Sequence, residues 1–253
     1  MTLPGLPESF YWTNTACGVA LKCRPLEAIA SHLFTTRQLP LSDEGWHRVA
    51  RALQTGAVTT VKQVHGRGVV VVRRGVPRAA ATPDGDVLVS NDPATAVAVR
   101  AADCVPLLLA DSATGAVAAV HAGWRGTVAG AATAAVDALA RALGSKPADL
   151  VVAIGPSIGA CCYAVGPELM EVFAAAGHSP HFIDRWFVRE QTVRLDLAAA
   201  NRDQLELAGV PGTQIHPSGL CTAMNLDVLT SYRVEKERAG RISGAIRCGS
   251  TGV

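Results

Sequence analysis

Between residues 85 and 123, apolar side chains fill nearly every position of four short runs, GDVLVS, TAVAVRAA, VPLLLAD and GAVAAVHAG. Asp, Asn, Pro and Gly stand between them. Apolar runs of this length bounded by turn formers predict four strands. Three of the runs are apolar throughout, which predicts strands covered on both faces. Upstream, AVTTVKQVHG (57–66) predicts another strand, with GVVVVRR (68–74) as its continuation or hairpin partner after Gly66. Downstream, LVVAIGPSIG (150–159) predicts a strand that leaves into a Gly/Pro loop, and GRISGAIRCGS (240–250) predicts a closing strand.

Helical patterns lie mostly outside this run of strands. Residues 42–53 predict a short helix with Ser42 or Asp43 as its cap. An Ala-rich helix is predicted from near Thr127 to Gly144, where glycine suits the position just past a helix end. Pro167 and Glu168 suit the opening of another helix, and residues 193–210 contain a third, closed by Gly209. Strands in sequence followed by helices predict an α+β fold rather than strict βαβ winding. The expectation is a single layered domain over 1–253 with a mixed β-sheet core flanked by helices.

Composition narrows the class. At 253 residues, with 49% hydrophobic and 17% charged side chains, the chain has ample core material and does not match a disordered composition. Aromatic residues make up only 5%, so Ala, Val, Leu and Ile must build the interior. A net charge of +2, with no basic cluster interleaved with aromatics, argues against a nucleic-acid or membrane-surface partner. The first residues, MTLPGLPESFYW, lack a basic and then apolar leader, and charged residues break the long apolar runs. The chain is therefore expected to be cytoplasmic and to span no membrane. Seven cysteines with no C-x-x-C pair argue against a disulfide framework or a zinc ribbon.

Three residues of metal-ligand type stand at predicted strand ends: His65 in KQVHG, Cys104 in AADCVP and His121 in VHAGW. Each is followed within two positions by Gly or Pro. Two imidazoles and a thiolate can form three of the four ligands of a catalytic zinc, leaving one position open. Unrelated core or edge residues are the plainer reading of the spacing alone. Arg125, just before the helix predicted near Thr127, offers a guanidinium beside a helix N-terminus, a setting for phosphate or carboxylate. Thr127 would be cap or ligand there, Lys62 a second cation, and Trp124 a stacking surface or packing. Asp103 could orient a ligand or move a proton, and Asp86 is of the same kind; both are also ordinary turn formers. Cys161 and Cys162 offer a nucleophilic thiol or inert packing. His32, His47, His178, His181 and His216 have no motif around them.

In combination these segments are specific. KQVHG, GDVLVS, RAADCVPLLLAD, VHAGWRGT, GPSIGACCYAVG, LDLAAANRDQL and the Cys221-Thr222 pair occur in an order that resembles the YfiH-like laccase-domain family. That family is also called multicopper polyphenol oxidoreductase or peptidoglycan editing factor, and the resemblance extends from Phe34 to Arg241. It implies a layered, cysteine-hydrolase-like fold and one catalytic metal, zinc with copper as the alternative, on His65, Cys104 and His121. It also implies purine nucleoside phosphorylase activity toward adenosine, inosine and methylthioadenosine, with adenosine deaminase activity alongside. Partners would be these nucleosides and phosphate, and the chain would be a monomer or homodimer. The phosphate would fall to Arg125 and a proton-shuttling role to Asp103. Two other chemistries stay open: a Cys104–His121 amide hydrolase acting on peptidoglycan precursors, and a copper polyphenol oxidase, which seven histidines, two of them in motifs, suit poorly. A structural or storage metal on a partner-binding protein is the non-enzymatic reading. One departure stands out. After FTTR the family carries a Gly-Gly-x-Ser stretch and an SLNLG segment, whereas QLPLSDEGW follows directly here.

Overall fold

The computed structural model describes residues 2–76 and 81–249, so the last residue of the predicted closing strand lies outside the described residues. In chain order the elements begin with β1 (Phe10–Thr15), β2 (Gly18–Cys23), α1 (Arg24–Glu27), β3 (Ser31–Thr35), α2 (Asp43–Ala52), β4 (Ala57–Thr59) and β5 (Val69–Val72). Next come β6 (Val87–Ser90), β7 (Thr95–Ala101), β8 (Val105–Asp111) and β9 (Val117–Ala122), then α3 (Trp124–Ala129) and α4 (Ala131–Leu143). The last part holds β10 (Leu150–Ile154), α5 (Glu168–Ala175), α6 (Pro180–Trp186), β11 (Phe187–Arg189), β12 (Val193–Leu195), α7 (Leu197–Leu207), β13 (Ile215–Pro217), α8 (Tyr232–Glu235) and β14 (Ile242–Arg247).

Two six-stranded sheets are stacked between helices. One has the order β1-β2-β3-β14-β7-β4 and the other β13-β10-β8-β9-β6-β5. Both are mixed: β4 runs parallel to β7, β5 to β6 and β13 to β10, while the remaining pairs are antiparallel. The all-apolar strands of the sequence are the consequence of this layering. Along β8, Leu107 and Leu109 join the cluster with Ala132, Ala135, Val136 and Leu139 of α4. Leu108 and Ala110 turn to Phe34, Val97, Val99 and Ile246 of the other sheet. A strand with helices on one face and a second sheet on the other has no side that water reaches, and alternation with polar residues disappears. The far face of the first sheet is closed by α2, with Val49 and Leu53 against Leu33, Ala96 and Ala98. Each fully buried Val or Leu contributes about 1.5–3 kcal/mol relative to exposure.

Three sequence expectations change. Residues 57–66 are not one strand, and GVVVVRR is not its partner: β4 lies in the first sheet and β5 in the second. The ladder stops because the Gln63 side chain takes over the pairing. Its amide N–H donates to the Arg100 carbonyl (2.7 Å), and its Oε1 accepts the Arg100 N–H (2.8 Å). The Ala-rich helix is two helices, broken at Gly130 with φ 80°. Thr127 is therefore neither an N-cap nor a ligand. It is buried inside α3 and bound to α7, its Oγ1 accepting from Asn201 Nδ2 (2.9 Å) and its carbonyl from Gln204 Nε2 (2.7 Å). The N-terminal strands β1–β3 had no period in the sequence that marked them. Ser42 caps α2 as expected, accepting from the Gly45 N–H at 3.3 Å, and Gly144 ends α4 at φ 75°. No described helix is long and apolar enough to cross a membrane.

Candidate metal centre and its two cavities

Both segments that carry the chain from the first sheet to the second end in a candidate ligand. His65 lies between β4 and β5, Cys104 between β7 and β8, and His121 on β9 opposite Pro106 at the start of β8. Nitrogen and sulfur atoms of His65, Cys104 and His121 all lie within 4.8 Å of one another. The two imidazoles meet edge to face, with ring centroids 4.9 Å apart. Among the described residues no fourth His, Cys, Asp or Glu joins this group.

Asp86, at the entry to β6 and fully buried, organises the triad. Its carboxylate accepts the backbone N–H groups of Val64 (3.3 Å), His65 (3.0 Å) and Gly66 (2.7 Å), and its Oδ1 lies 2.9 Å from His121 Nδ1. With Nδ1 engaged, His121 presents Nε2 toward Cys104. The same carboxylate thus fixes one ligand ring and holds His65 at φ 60°, a left-handed backbone that a histidine adopts only when held. In sequence Asp86 stood as a residue that could orient a ligand or as an ordinary turn former, and the structure places it in the first role.

Burial would raise the Cys104 thiol, but hydrogen bonds from His121 and His65 outweigh it and bring it down to about 7. Burial would lower His121, but the Asp86 carboxylate and Cys104 raise it to about 9. Gly123 makes room for the pair: a Cβ there would lie 2.7 Å from Cys104 Sγ and 3.3 Å from His65 Cδ2. Two imidazoles and one readily ionised thiol, with one imidazole backed by a buried carboxylate, match the donor set and outer shell of a three-ligand catalytic site.

Two cavities meet at the triad, with His65 and Cys104 lining both and His121 only the second. The first, of about 290 Å³, is lined by His65, Cys104, Trp124, Arg125, Tyr163, Arg233 and Lys236, among others. The second, of about 560 Å³, is lined by His65, Cys104 and His121 together with Gln63, Arg100 and Arg241. Arg125 is exposed and its guanidinium rests 4.2 Å from the Trp124 ring centre, at the start of α3 rather than before a later helix. Arg233 sits over Tyr163 at 4.9 Å and donates to the Ala164 carbonyl at 2.7 Å. Arg233 and Lys236 had no motif in the sequence and lie far along the chain from the triad; Tyr163 stood within GPSIGACCYAVG but was not singled out there.

Asp103 lines the first cavity through a backbone at φ 84°, but its carboxylate is occupied. Oδ1 accepts from Thr222 Oγ1 and Oδ2 from the Arg233 N–H, both at 2.6 Å. Lys62 lines neither cavity and pairs with Asp84 on the surface at 3.4 Å. Of the adjacent pair, Cys161 is exposed, whereas Cys162 is half-buried and packs against the core between the second sheet and the helices. His32 is a satisfied core residue, accepting the Cys23 N–H at Nε2 (2.8 Å). The short segment after Arg37 is anchored to the 226–235 segment, with Arg37 donating to the carbonyls of Leu226 and Leu229 and pairing with Glu235 at 2.9 Å.

Fold and centre together define an α/β/β/α protein with a His–Cys–His centre where the chain crosses between sheets. Residues 42–249 match the family described as multi-copper polyphenol oxidoreductase laccase, and the chain belongs to that family. A Deinococcus radiodurans protein named purine nucleoside phosphorylase is 36% identical over 264 residues, covering 94% of this chain and 98% of that one. A protein from an unknown prokaryotic organism, named adenosine deaminase RL5, is 41% identical over 141 residues, 54% of this chain and 52% of its own length. The crystal structure of YlmD from Geobacillus stearothermophilus superposes with a TM-score of 0.82 at 28% identity, covering 96% of this chain and 99% of that one.

Proposed function

We propose that the chain is a metal-dependent purine nucleoside phosphorylase acting on adenosine, inosine and S-methyl-5′-thioadenosine, with adenosine deaminase activity at the same centre. The observation that carries this reading is one of placement: the His65–Cys104–His121 triad lies beside a cavity lined by the cations Arg125, Arg233 and Lys236 and by the aromatic rings of Trp124, Tyr163 and Tyr232. The relatives named for both activities support the substrate class. In phosphorolysis a phosphate oxygen bonds to ribose C1′ as the C1′–N9 bond breaks, and the electron pair leaves with the purine, which takes up a proton. Arg125, Arg233 and Lys236 supply positive charge for phosphate, and Trp124 and Tyr163 supply flat apolar faces for the purine. In deamination water adds at C6 and ammonia departs.

His65, Cys104 and His121 would hold zinc, with copper the alternative, and an ion bound there supplies Lewis acidity and activation of water at neutral pH. Asp86 holds His121 and His65 in the geometry that binding needs. Asp103, both oxygens engaged, is a positioning residue that ties Cys104 to the segment carrying Arg233. Phosphate-dependent release of adenine from adenosine, lost in Cys104→Ala and in chelator-treated protein, is the expected result. Inosine formed with no phosphate-dependent release of adenine would reduce the reading to the deaminase.

A second reading has its own observation. Cys104, His121 and Asp86 stand in the order of a thiol, a base and a carboxylate that orients the base. That arrangement suits an amide hydrolase working without metal. Amide cleavage that survives metal removal, with no nucleoside turnover, would favour it.

A further inference from the structure

A second sulfur-rich group lies apart from the triad. Cys161 and Cys162 stand on the loop that follows β10, and Cys221 follows β13, beside it in the sheet. The two segments are stitched together by Ser157, whose N–H donates to the Leu220 carbonyl (3.2 Å) and whose carbonyl accepts the Thr222 N–H (3.0 Å). The three Sγ atoms lie within 4.8 Å of one another, and those of Cys161 and Cys162 are 3.5 Å apart.

We propose that Cys161, Cys162 and Cys221 form a second metal site that takes a thiophilic closed-shell cation, Cu(I) or Zn(II), through three thiolates. Metal–sulfur bonds of about 2.3 Å place the sulfurs of a trigonal or tetrahedral set about 4 Å apart. The Cys161–Cys162 pair, at 3.5 Å, therefore needs to open slightly, and the remaining separations, all within 4.8 Å, need to change by no more than about 1 Å. Soft thiolate sets select these ions. The Cys221 sulfur accepts the Gly159 N–H at 3.3 Å, a donor placed where a thiolate's charge would sit. Gly159 also keeps the approach between the sulfurs open, since a Cβ there would lie 3.3 Å from Cys161 Sγ and 3.7 Å from Cys221 Sγ. Cys161 is exposed, which gives an ion a path in. Each thiol that binds gives its proton to solvent, so loading releases protons. The site shares no ligand with the triad. The two are nevertheless adjacent, because Thr222 follows Cys221 and holds Asp103, the neighbour of Cys104.

The test uses the full chain carrying Cys104→Ser, which removes the first centre's thiolate. Reduced, metal-stripped protein is titrated with Zn(II) alone, and separately with Cu(I) under nitrogen, against a chromophoric chelator. The expected result is one ion bound per chain with proton release, weakened at least about tenfold by Cys161→Ser, whose exposed position spares the fold. Uptake in either arm that the Cys161→Ser substitution weakens upholds the site, and the tighter arm identifies the ion. No uptake, or uptake unchanged in a Cys161→Ser/Cys162→Ser double variant, overturns it. So does a disulfide mapped among these cysteines in protein whose reduced form takes no ion. The proposal does not rest on the nucleoside reading, and failure of one leaves the other standing.

Discussion

Asp86 Oδ1 lies 2.9 Å from His121 Nδ1, and the same buried carboxylate receives three consecutive backbone N–H groups from residues 64 to 66. One side chain therefore sets the orientation of one imidazole and the backbone that presents the other. Asp86→Asn keeps an oxygen but loses the charge and half the acceptor capacity. Zinc affinity is expected to fall about 10–100-fold, the usual consequence of losing a partner behind a ligating histidine. Asp86→Ala leaves buried N–H groups unpaired and is expected to lose about 2 kcal/mol or more of stability as well. Chelator competition and urea unfolding separate the two effects.

Gly123→Ala tests whether the triad tolerates crowding. The new methyl would meet Cys104 Sγ at 2.7 Å, so the sulfur must shift. Circular dichroism should match the parent protein, while metal content and nucleoside turnover should both fall by at least about tenfold, since small displacements at a reacting centre cost heavily. Unchanged turnover would mean that Cys104 is not needed where it stands.

Arg125 is exposed and makes its recorded contact with the Trp124 ring, so Arg125→Ala should leave the fold intact. The KM for phosphate is expected to rise about tenfold, the equivalent of about 1.4 kcal/mol, with a smaller change in the KM for adenosine. Arg125→Lys should recover part of the loss, because it keeps the charge but not the planar fork. Steady-state kinetics with each substrate varied in turn supply the comparison.

His32 predicts an acid limit to stability. Burial pushes it down from 6.5 to about 4, and the folded chain uses the neutral ring, whose Nε2 accepts the Cys23 N–H. The unfolded chain binds a proton near 6.5 that the folded chain refuses until about 4. The contribution is thus fully present above 6.5 and lost as pH falls toward 4, amounting to about 3 kcal/mol across that window. Urea unfolding at pH 7 and pH 5 should show the loss, and His32→Gln should flatten this part of the profile. An equal slope in that variant would place the acid sensitivity elsewhere.

Much of the centre was legible in the linear chain. His65, Cys104 and His121 were candidates through ligand chemistry at strand ends, but their spacing alone favoured unrelated residues and the family resemblance joined them into one site; Arg125 was marked by its place beside a helix. Asp86 and Thr127 were named as candidates but their roles were left open, because a turn-forming acid and a helix-capping threonine look alike whether or not something is packed against them. Arg233 and Lys236 reach the cavity from a segment more than a hundred residues beyond Cys104. No local pattern carries a relation of that length.

What the sequence determined by itself was the chemistry available and the presence of doubly covered strands, since apolar runs report burial directly and cysteine, histidine and arginine report their own reactivity. Tertiary structure decided the rest. The chain passes between sheets at residues 60–68, where one strand or a hairpin was expected, and at 102–104, between two strands the sequence had already separated, and those two passages bring His65 and Cys104 to His121. The reason is that strand pairing is a contest among partners distant in sequence. Gln63 settles it locally by pairing with the Arg100 backbone, and Asp86 settles it at the site by collecting three N–H groups that no strand then claims.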